Sequence, residues 1–391
     1  MSPRKKKRNI PEESLRVAVV AEPLFKHGGA EVHLRYIIKA FPNCEVYTAY
    51  YDKKFVKEFF GDIKIHHSFI QYLPKKFQFR QLYLLFHPWA YRSFKLKGYD
   101  VIVSLSIAFA KFAHTKGVKH VDICMTPPKF LWEKEGRSLK NVEQLKGINR
   151  TFFKIYSLFM DTFLEKLWQK WDKEAAAKCD KIAAISKVVQ KRIKKYYGLE
   201  SDVIYPPVEV KMIQSFKKIN RKENWFLYMG RVETYEGVDL AIKACAMANV
   251  PLKIAGTGDN LEQMKELVKN MNKKGLIKFL GYVSDEEKIN LLSRCRALIF
   301  PVRNEDFGII PVEANSAGTP VIAYREGGVL ETISEENPKT GVFFDKYDAE
   351  SLAEVIKKFK DSLYDPDNCR KQADNFAAEI FMYKLKNYVK E

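Results

Sequence analysis

Two glutamates, Glu305 and Glu313, stand eight positions apart around a glycine, and this placement suits the binding of an anionic ligand. A strand-like apolar run, 297–300, precedes them, and the residues after Gly308 favour a helix. The backbone amides after Phe307 would open that helix, where N–H groups lack intrahelical partners and the dipole favours an anion. Glu305 would then lie in the loop before the helix and Glu313 roughly two turns along it.

An anion-binding helix start between two carboxylates suits a ligand with hydroxyl groups at both ends and phosphates between them. A nucleotide sugar has this composition. The alternative is that both glutamates are solvated charges of a loop and a helix, which is the usual state of carboxylates in proteins. The strand, helix and turn pattern around the pair favours the ligand-binding interpretation.

Composition restricts the class of protein. The chain has 391 residues, 46% of them hydrophobic, which is enough for two or three domains with apolar cores. Six cysteines are scattered without a Cys-x-x-Cys pair, which argues against a disulfide framework and a zinc site and favours a reducing cytosol. Because no apolar run approaches the ~20 residues that cross a bilayer, we expect a cytoplasmic protein, at most peripheral at the inner face of the cell membrane.

Positive charge is concentrated in the first half of the chain. The net charge is +19, and residues 1–207 carry 39 Lys and Arg against 20 Asp and Glu, whereas residues 208–391 carry 28 of each. Charge alone leaves nucleic acid, anionic lipid and an acidic substrate as partners. The neutral second half and its carboxylate pair make nucleic acid the least favoured of the three, so we expect no nucleic-acid partner.

Short apolar runs alternate with helical patterns along most of the chain, which predicts parallel βαβ units. One series begins at 15–21 and a second at 225–230. Two doubly wound, Rossmann-like α/β domains facing each other across a cleft are the economical architecture, with ligands outside the carboxyl ends of the strands. We predict a disordered basic tail at 1–14, an N-terminal domain at 15–207, a linker at 208–223, a C-terminal domain at 224–365 and C-terminal helices at 366–391 that cross back to the first domain.

Two segments of the first half, 75–95 and 151–173, mix basic and aromatic side chains. In the second of them the aromatic residues recur at three- or four-residue steps, which is typical of an amphipathic helix. A helix facing the core is the favoured interpretation of each segment. The alternative is an interfacial surface on which aromatic side chains insert among anionic lipid headgroups and lysines pair with them.

The segment from Glu305 to Glu313 resembles the E-x7-E signature of family 4 glycosyltransferases, which are retaining enzymes of the GT-B fold. The resemblance begins at about Leu15 and is strongest in residues 225–345. It implies metal-independent transfer of a sugar from a nucleotide diphosphate donor to an acceptor hydroxyl. By the same resemblance, Glu305 contacts sugar hydroxyls, Arg231 grips the diphosphate as its catalytic partner, and Glu313 binds the ribose.

Further residues would contact the donor. Arg231 is also consistent with an ordinary surface arginine, and the turn before the helix at Gly256 and Gly258 is either a plain helix cap at Asp259 or a backbone contact near the nucleotide. The Gly28-Gly29 pair would let the backbone approach a phosphate, but it lacks the spacing of a dinucleotide site. The complete predicted donor set is Gly28, Gly29, Gly230, Gly256, Gly258, Tyr282, Val283, Phe307, Gly308, Ile309, Ile310 and Glu313.

Two positions depart from the family pattern. Glu236 replaces the usual lysine five residues after Arg231, and a charge-assisted hydrogen bond of the kind lost there contributes roughly 1.5–3 kcal/mol. Met125 replaces a histidine before the Thr-Pro pair, and a thioether cannot donate a proton. A catalytically weakened relative that only binds nucleotide sugars is therefore the alternative to an active enzyme. The compensating charge would come from Lys26, Arg303 or Arg325.

The segments 104–111 and 125–132 resemble those of bacterial polysaccharide and O-antigen mannosyltransferases. This resemblance implies GDP-mannose as the favoured donor, a UDP-sugar as its alternative, and a glycan or lipid-linked acceptor in surface polysaccharide synthesis. The predicted acceptor side comprises Lys26, His27, Thr126 and Lys129. An anionic membrane surface would meet residues 75–95 and 151–173.

Overall fold

The computed structural model describes residues 15–74, 83–133, 165–216 and 222–391. These residues form two compact α/β units. One unit extends to Ile185 and also includes 189–204 and 382–391, whereas the other comprises 186–188 and 205–381. The predicted tail at 1–14 and the parts 75–82 and 151–164 of the two basic-aromatic segments lie outside the described residues.

A parallel sheet of seven strands forms the centre of the first unit, in the order β3-β2-β1-β4-β5-β6-β7. The two adjacent central strands β1 and β4 are buried along their whole length, as expected where helices cover both faces of a parallel sheet. The strands are β1 Val17–Ala21, β2 Glu45–Thr48, β3 Ile65–His67, β4 Val101–Ser106, β5 Lys119–Cys124, β6 Lys181–Ala184 and β7 Asp202–Val203. The accompanying helices are α1 Gly29–Ala40, α2 Lys53–Phe60, α3 His87–Arg92, α4 Lys129–Trp132, α5 Glu165–Ala176 and α6 Lys187–Tyr197.

The second unit is built on a parallel sheet of six strands in the order β10-β9-β8-β11-β12-β13. Its strands are β8 Phe226–Met229, β9 Leu252–Ala255, β10 Ile277–Gly281, β11 Leu298–Phe300, β12 Val321–Tyr324 and β13 Gly341–Phe344. The helices are α7 Val210–Ser215, α8 Val238–Ala248, α9 Leu261–Asn270, α10 Asp285–Arg294, α11 Ile309–Ser316, α12 Val329–Thr332, α13 Ala349–Lys358 and α14 Pro366–Asp374, followed by α15 Ala378–Lys390, whose end belongs to the first unit. Side-chain caps at Ser284 and Asp348 fix the starts of α10 and α13.

Each sheet reverses its strand order once, between β1 and β4 in the first unit and between β8 and β11 in the second. At such a reversal the connections after the two central strands run in opposite directions and leave a crevice at the carboxyl ends of the strands. Ligands of open α/β sheets bind at this position. The structure therefore marks one candidate ligand position in each unit.

The predicted pair of parallel, Rossmann-like α/β domains is confirmed, but two boundaries differ from the prediction. Part of the predicted linker forms α7, because Ile213 packs into the core of the second unit beside Trp225 and Leu227. Of the predicted crossing helices, only residues 382–391 group with the first unit. There, Tyr388 donates a hydrogen bond of 2.9 Å to the carbonyl oxygen of Ile182.

None of the helices in the described parts of the chain is both long enough and apolar enough to cross a membrane.

Candidate functional site

The strand-order reversal of the second sheet brings two predicted site segments to the same edge. β8 and β11 pair in parallel, with Leu227 opposite Leu298. Gly230 and Arg231 follow the end of β8, and the loop that contains Glu305 follows the end of β11. The structure thus places the two predicted catalytic residues on neighbouring loops of one unit, at the position where a ligand of such a sheet binds.

The carboxylate of Glu305 occupies the helix start that was expected to receive an external anion. Its Oε1 atom accepts hydrogen bonds from the amides of Phe307 at 3.4 Å and Gly308 at 3.2 Å. Gly308 is the residue that caps α11, and its φ of 95° lies in the left-handed region that favours glycine. The amides of the predicted anion site thus bind the chain's own carboxylate in this structure.

A glycine pair that the sequence analysis missed supports the Glu305 loop from behind. The amide of Gly328 donates to the carbonyl oxygen of Glu305 at 2.8 Å. A Cβ atom at Gly327 would lie 2.6 Å from that same oxygen, and one at Gly328 would lie 2.4 Å from the Cα of Phe307. Only residues without a side chain permit this approach. The signal was a Gly-Gly pair two residues after the apolar run of β12, since glycines in a loop after a strand let a backbone approach closely.

Glu313 lies in α11, as predicted, and its carboxylate is held by a lysine. Lys288 of α10 donates to Glu313 Oε1 at 2.8 Å, and only 14% of the Glu313 side chain is exposed. Burial alone would lower the pKa of Lys288, but the nearby carboxylate of Glu313 outweighs burial and raises it. The ammonium group therefore stays charged and keeps Glu313 in one orientation.

Glu236, the residue that departs from the family pattern, is the direct partner of Arg231. The Arg231 guanidinium lies 2.5 Å from Glu236 Oε1, and its Cζ is 5.3 Å from the centre of the Tyr235 ring. Burial tends to lower the pKa of Arg231, and the carboxylate of Glu236 raises it by more. The side chain of Arg231 is 66% exposed and that of Glu236 is 14% exposed. An exposed cation is thus held in place by a largely buried anion.

Of the three residues proposed to supply compensating charge, Arg303 has the most suitable position. It lies in the same loop as Glu305, and its contact with Glu326 is long, at 3.9 Å. Arg325 instead contacts both Glu335 at 2.7 Å and Asp345 at 2.5 Å. Lys26 belongs to the first unit.

Three predicted donor-site glycines join two strand-end loops to each other. A Cβ atom at Gly256 would lie 1.9 Å from the carbonyl oxygen of Gly230, and one at Gly258 would lie 2.4 Å from that of Val232. These glycines therefore have a structural role in packing the loop after β9 against the loop after β8. Of the two interpretations of this turn, a helix cap at Asp259 is wrong, because Asn260 is the residue that precedes the first residue of α9.

The other predicted donor residues of the second unit are not equally accessible. The side chain of Phe307 is buried against Tyr205 and Phe376, so only its backbone remains for a ligand. By contrast, Tyr282 after β10 is 83% exposed. The remaining predicted residues are partly buried. Val283 lies just before α10, and Ile309 and Ile310 begin α11.

The predicted residues of the first unit follow β1 and β5. Lys26, His27, Gly28 and Gly29 lead into α1, with the His27 ring 4.9 Å from that of Phe59. The Oγ1 atom of Thr126 accepts a hydrogen bond of 3.2 Å from Arg192, and Lys129 begins α4. Met125 donates its amide to the carbonyl oxygen of Ser106 at 2.8 Å, which anchors the chain as it leaves β5. The predicted acceptor residues thus lie in segments that follow the carboxyl ends of two strands of the first sheet.

Sequence reasoning also missed a buried ion pair that is connected to Trp132, the last residue of α4. Lys111 is fully buried and lies 2.8 Å from Asp172 Oδ1. The other oxygen of Asp172 accepts hydrogen bonds from Trp132 at 2.8 Å and from Tyr197 at 2.7 Å. Burial would lower the pKa of Lys111, but the negative charge of Asp172 outweighs burial and raises it. This network ties α4, α5 and α6 together.

Within the described ranges, no three His, Cys, Asp or Glu side chains are grouped closely enough to hold a metal ion.

Comparison with protein families gives matches along nearly the whole chain. A family described as "Glycosyl transferases group 1" matches residues 211–376, and one described as "Glycosyltransferase Family 4" matches residues 27–211. Among individual relatives, the chain is 30% identical over 232 residues to the alpha-1,3/1,6-mannosyltransferase ALG2 of Homo sapiens, covering 51% of this chain and 55% of the relative. It is 27% identical over 238 residues to the O-antigen chain mannosyltransferase RfbU of Salmonella typhimurium, covering 56% and 66%. The matches thus span about half to two thirds of these relatives' lengths.

Solved structures resemble the complete chain in fold. HepE of Anabaena in complex with UDP superposes with a TM-score of 0.66 and 17% identity, covering 95% of this chain and 98% of that one. Sucrose-phosphate synthase of Thermosynechococcus elongatus gives a TM-score of 0.67 and 17% identity, covering 96% and 98%.

Proposed function

Because the chain belongs to the family 4 glycosyltransferases, with the Rossmann-like α/β units of the GT-B fold, we propose that it transfers a hexosyl group from a nucleotide diphosphate sugar to an acceptor hydroxyl with retention at the anomeric carbon. One observation carries this proposal. Arg231, Glu305 and the first amides of α11 gather at the strand-order reversal of the second sheet. A guanidinium beside a helix start suits a diphosphate.

In the proposed reaction this unit works by electrostatics. The guanidinium of Arg231 and the positive end of α11 stabilise the charge that develops on the departing diphosphate. The carboxylate of Glu305 accepts hydrogen bonds from sugar hydroxyls and holds the sugar in a reactive orientation. To engage a phosphate, Arg231 has to share or leave its contact with Glu236, so part of the donor's binding free energy offsets that loss.

Mannose is the favoured sugar and GDP the favoured nucleotide, because two of the relatives are named as mannosyltransferases. A UDP-sugar is the alternative, because HepE binds UDP. In this proposal the ring of Tyr282, which is 83% exposed, stacks on the base, and Glu313 binds the ribose. The acceptor, a glycan or a lipid-linked glycan, would meet Lys26, His27, Thr126 and Lys129 of the first unit.

A panel of nucleotide sugars tests the proposal. The protein is mixed with GDP-mannose, UDP-glucose and ADP-glucose in turn, and thermal stabilisation and release of the nucleoside diphosphate are measured. We expect one nucleotide class to stabilise the protein and to be consumed slowly by transfer to water or fully by transfer to an acceptor glycan. Stabilisation by none of the three would contradict the proposal.

Variants of Arg231 test whether this residue binds the diphosphate of the donor. Arg231→Gln removes a charge-assisted contact and is expected to weaken donor binding by roughly 10- to 100-fold. The matched control, Arg294→Gln, removes another half-exposed arginine of the same unit, which pairs with Glu223, and should leave donor affinity unchanged. Glu236→Gln relieves Arg231 of its carboxylate and should strengthen donor binding. Equal effects of the two arginine variants would argue against Arg231 as the diphosphate ligand.

A further inference from the structure

A cationic cavity in the first unit is lined by residues that have no assigned part in sugar transfer. It is lined by Arg92, Lys111, Phe112, His114, Ala175 and Lys178, and we refer to it as the Arg92 cavity. Its volume is about 90 Å³, whereas roughly 10–15 Å³ measured in the same way is enough to hold one water molecule. The cavity therefore has room for a group as large as a phosphate.

Of the three cations that line the Arg92 cavity, only Lys111 is paired with a carboxylate among the described residues. Lys111 is neutralised by Asp172, 2.8 Å away. Arg92 and Lys178 are exposed, and neither contacts a carboxylate among the described residues. Two positive charges thus remain for a ligand of opposite charge. Arg92 is also oriented by aromatic rings, since its Cζ lies 5.1 Å from the ring centre of Phe112 and 5.7 Å from that of Trp171.

His114 supplies an unused hydrogen-bonding atom in the same cavity. Its Nδ1 atom is buried and has no hydrogen-bond partner among the described residues. An unsatisfied buried polar atom is destabilising, and a ligand oxygen or hydroxyl would supply the missing hydrogen bond. Burial and the positive charge of Lys178 lower the pKa of His114, and Asp180 opposes them. The carboxylate of Asp180 is engaged elsewhere, because it accepts the amide of His120 at 2.7 Å.

Exposed aromatic side chains lie beside the cavity. Trp89 is 51% exposed and Phe86 is 44% exposed. The Trp89 ring packs edge-on against that of Trp171, 5.6 Å away, and Arg92 covers Trp171 as well. Large aromatic residues next to cations are typical of surfaces that rest in the interfacial layer of a membrane. A small soluble anion would leave these rings in water.

We propose that the Arg92 cavity binds the phosphate group of an anionic lipid while Trp89 and Phe86 enter the headgroup layer. The charge of the cavity selects the phosphate, and the aromatic side chains select a lipid rather than inorganic phosphate. This inference concerns the first unit alone and does not rest on the proposed transfer reaction. It also specifies which part of the basic-aromatic segments would meet a membrane, namely α3 and the end of α5.

Vesicle binding tests the inference. The protein is mixed with phosphatidylcholine vesicles or with vesicles that also contain phosphatidylglycerol, and the bound fraction is measured by sedimentation. Each cation at a membrane surface is worth about a five-fold change in binding, so Arg92→Gln with Lys178→Gln should lose about 25-fold on the anionic vesicles. The control, Lys57→Gln with Lys191→Gln, removes the same charge from exposed positions of α2 and α6 and should lose much less.

Further readouts separate a lipid from other anions. Trp89→Ala should weaken vesicle binding and reduce the fluorescence change on adding vesicles, and all variants should keep the wild-type circular dichroism spectrum. Equal losses in the two double variants would reveal general attraction and overturn the assigned site. Displacement of the wild-type protein from the anionic vesicles by inorganic phosphate or by a single-stranded oligonucleotide would overturn the lipid assignment. Donor-induced thermal stabilisation should be unchanged in both double variants, so the proposed function can fail without this inference failing.

Discussion

The strand-order reversals of the two sheets are built alike and used differently. In the first unit Glu22, directly after β1, presents a single carboxylate oxygen to the chain that follows β4. This oxygen accepts hydrogen bonds from the amides of Ile107, Ala108, Phe109 and Ala110 at 2.7–3.3 Å. In the second unit Glu305 accepts hydrogen bonds from the amides of Phe307 at 3.4 Å and Gly308 at 3.2 Å.

This difference suggests how the two units divide their work. Charge-assisted hydrogen bonds are strongest near 2.7–2.9 Å, and Glu22 makes two of that length. Its carboxylate is part of the structure of the first unit. The longer bonds of Glu305 are weaker, so its carboxylate can turn towards a ligand at a smaller cost in free energy. We predict that the same residue type stabilises the fold in one unit and binds a ligand in the other.

The largest expected effect comes from Glu305. We predict that Glu305→Ala lowers the rate of sugar transfer by about 10²–10³-fold, a magnitude typical of removing one preorganised polar group from an active site. The unfolding midpoint should change little, because the hydrogen bonds that Glu305 accepts from Phe307 and Gly308 are long. Steady-state transfer assays and thermal unfolding measure the two quantities. Retention of full activity would remove Glu305 from the proposed site.

The glycines offer the next contrast. Gly256→Ala should destabilise the second unit by roughly 3 kcal/mol or more, because its Cβ would collide with a backbone oxygen 1.9 Å away at a φ of 139°. Gly28→Ala is the matched change in the first unit. There the Cβ meets only the movable carboxylate of Glu31 at 2.9 Å, and the backbone is extended. Urea unfolding of both variants gives the comparison, and similar midpoints would contradict it.

For Glu22 we predict the opposite of Glu305, a loss of stability without a loss of donor binding. Glu22→Ala leaves four amides, three of them partly buried, without their acceptor and should reduce the free energy of unfolding by about 3 kcal/mol. Donor binding by the second unit should be retained. Urea unfolding followed by tryptophan fluorescence reports on this, since four of the five tryptophans precede residue 207. A variant as stable as the wild type would mean that water replaces the carboxylate at little cost.

Acid sensitivity should also be confined to the first unit, because all seven histidines precede residue 207. Burial lowers the pKa of His33 and of His120 to about 3. Since the unfolded chain takes up these protons first, stability is lost as pH falls below about 6.5, by about 1 kcal/mol for each histidine between pH 7 and 5.5.

One acid acts in the opposite direction. Burial raises the pKa of Asp122 to about 6, so its protonation favours the fold over the same range and offsets part of the loss. Urea unfolding at the two pH values measures the net effect. His120→Gln should reduce the pH dependence by about 1 kcal/mol, and an unchanged dependence would exclude His120 as a source.

Much of the second unit was predictable from the sequence because its signals are local. An apolar run, a glycine and a helix-forming stretch predict a strand, a loop and a helix start, and the structure has them at Leu298–Phe300, Gly308 and Ile309–Ser316. The placement of Glu305 before the helix and Glu313 within it follows from the helical rise alone. The binding roles of both residues remain predictions.

Contacts between distant segments could not be predicted in the same way. Nothing local shows that Gly256 lies against Gly230, that Gly328 supports Glu305, or that Phe307 is buried. These relations depend on strand order, and strand order depends on which apolar faces pack together. The pairing of Arg231 with Glu236 is closer in sequence, but it requires the turn at 234–236 to bring the two side chains together.

The sequence by itself determined the parallel α/β class, the two series of strands, the charge asymmetry and the helix start between two glutamates, because periodicity and composition act over a few residues. Only the tertiary structure decided which carboxylate partners which amides and cations. The amides before α11, a buried lysine and an exposed arginine each pair with the acid that the packing brings nearest to them. Which acid this is depends on contacts between segments far apart in the chain.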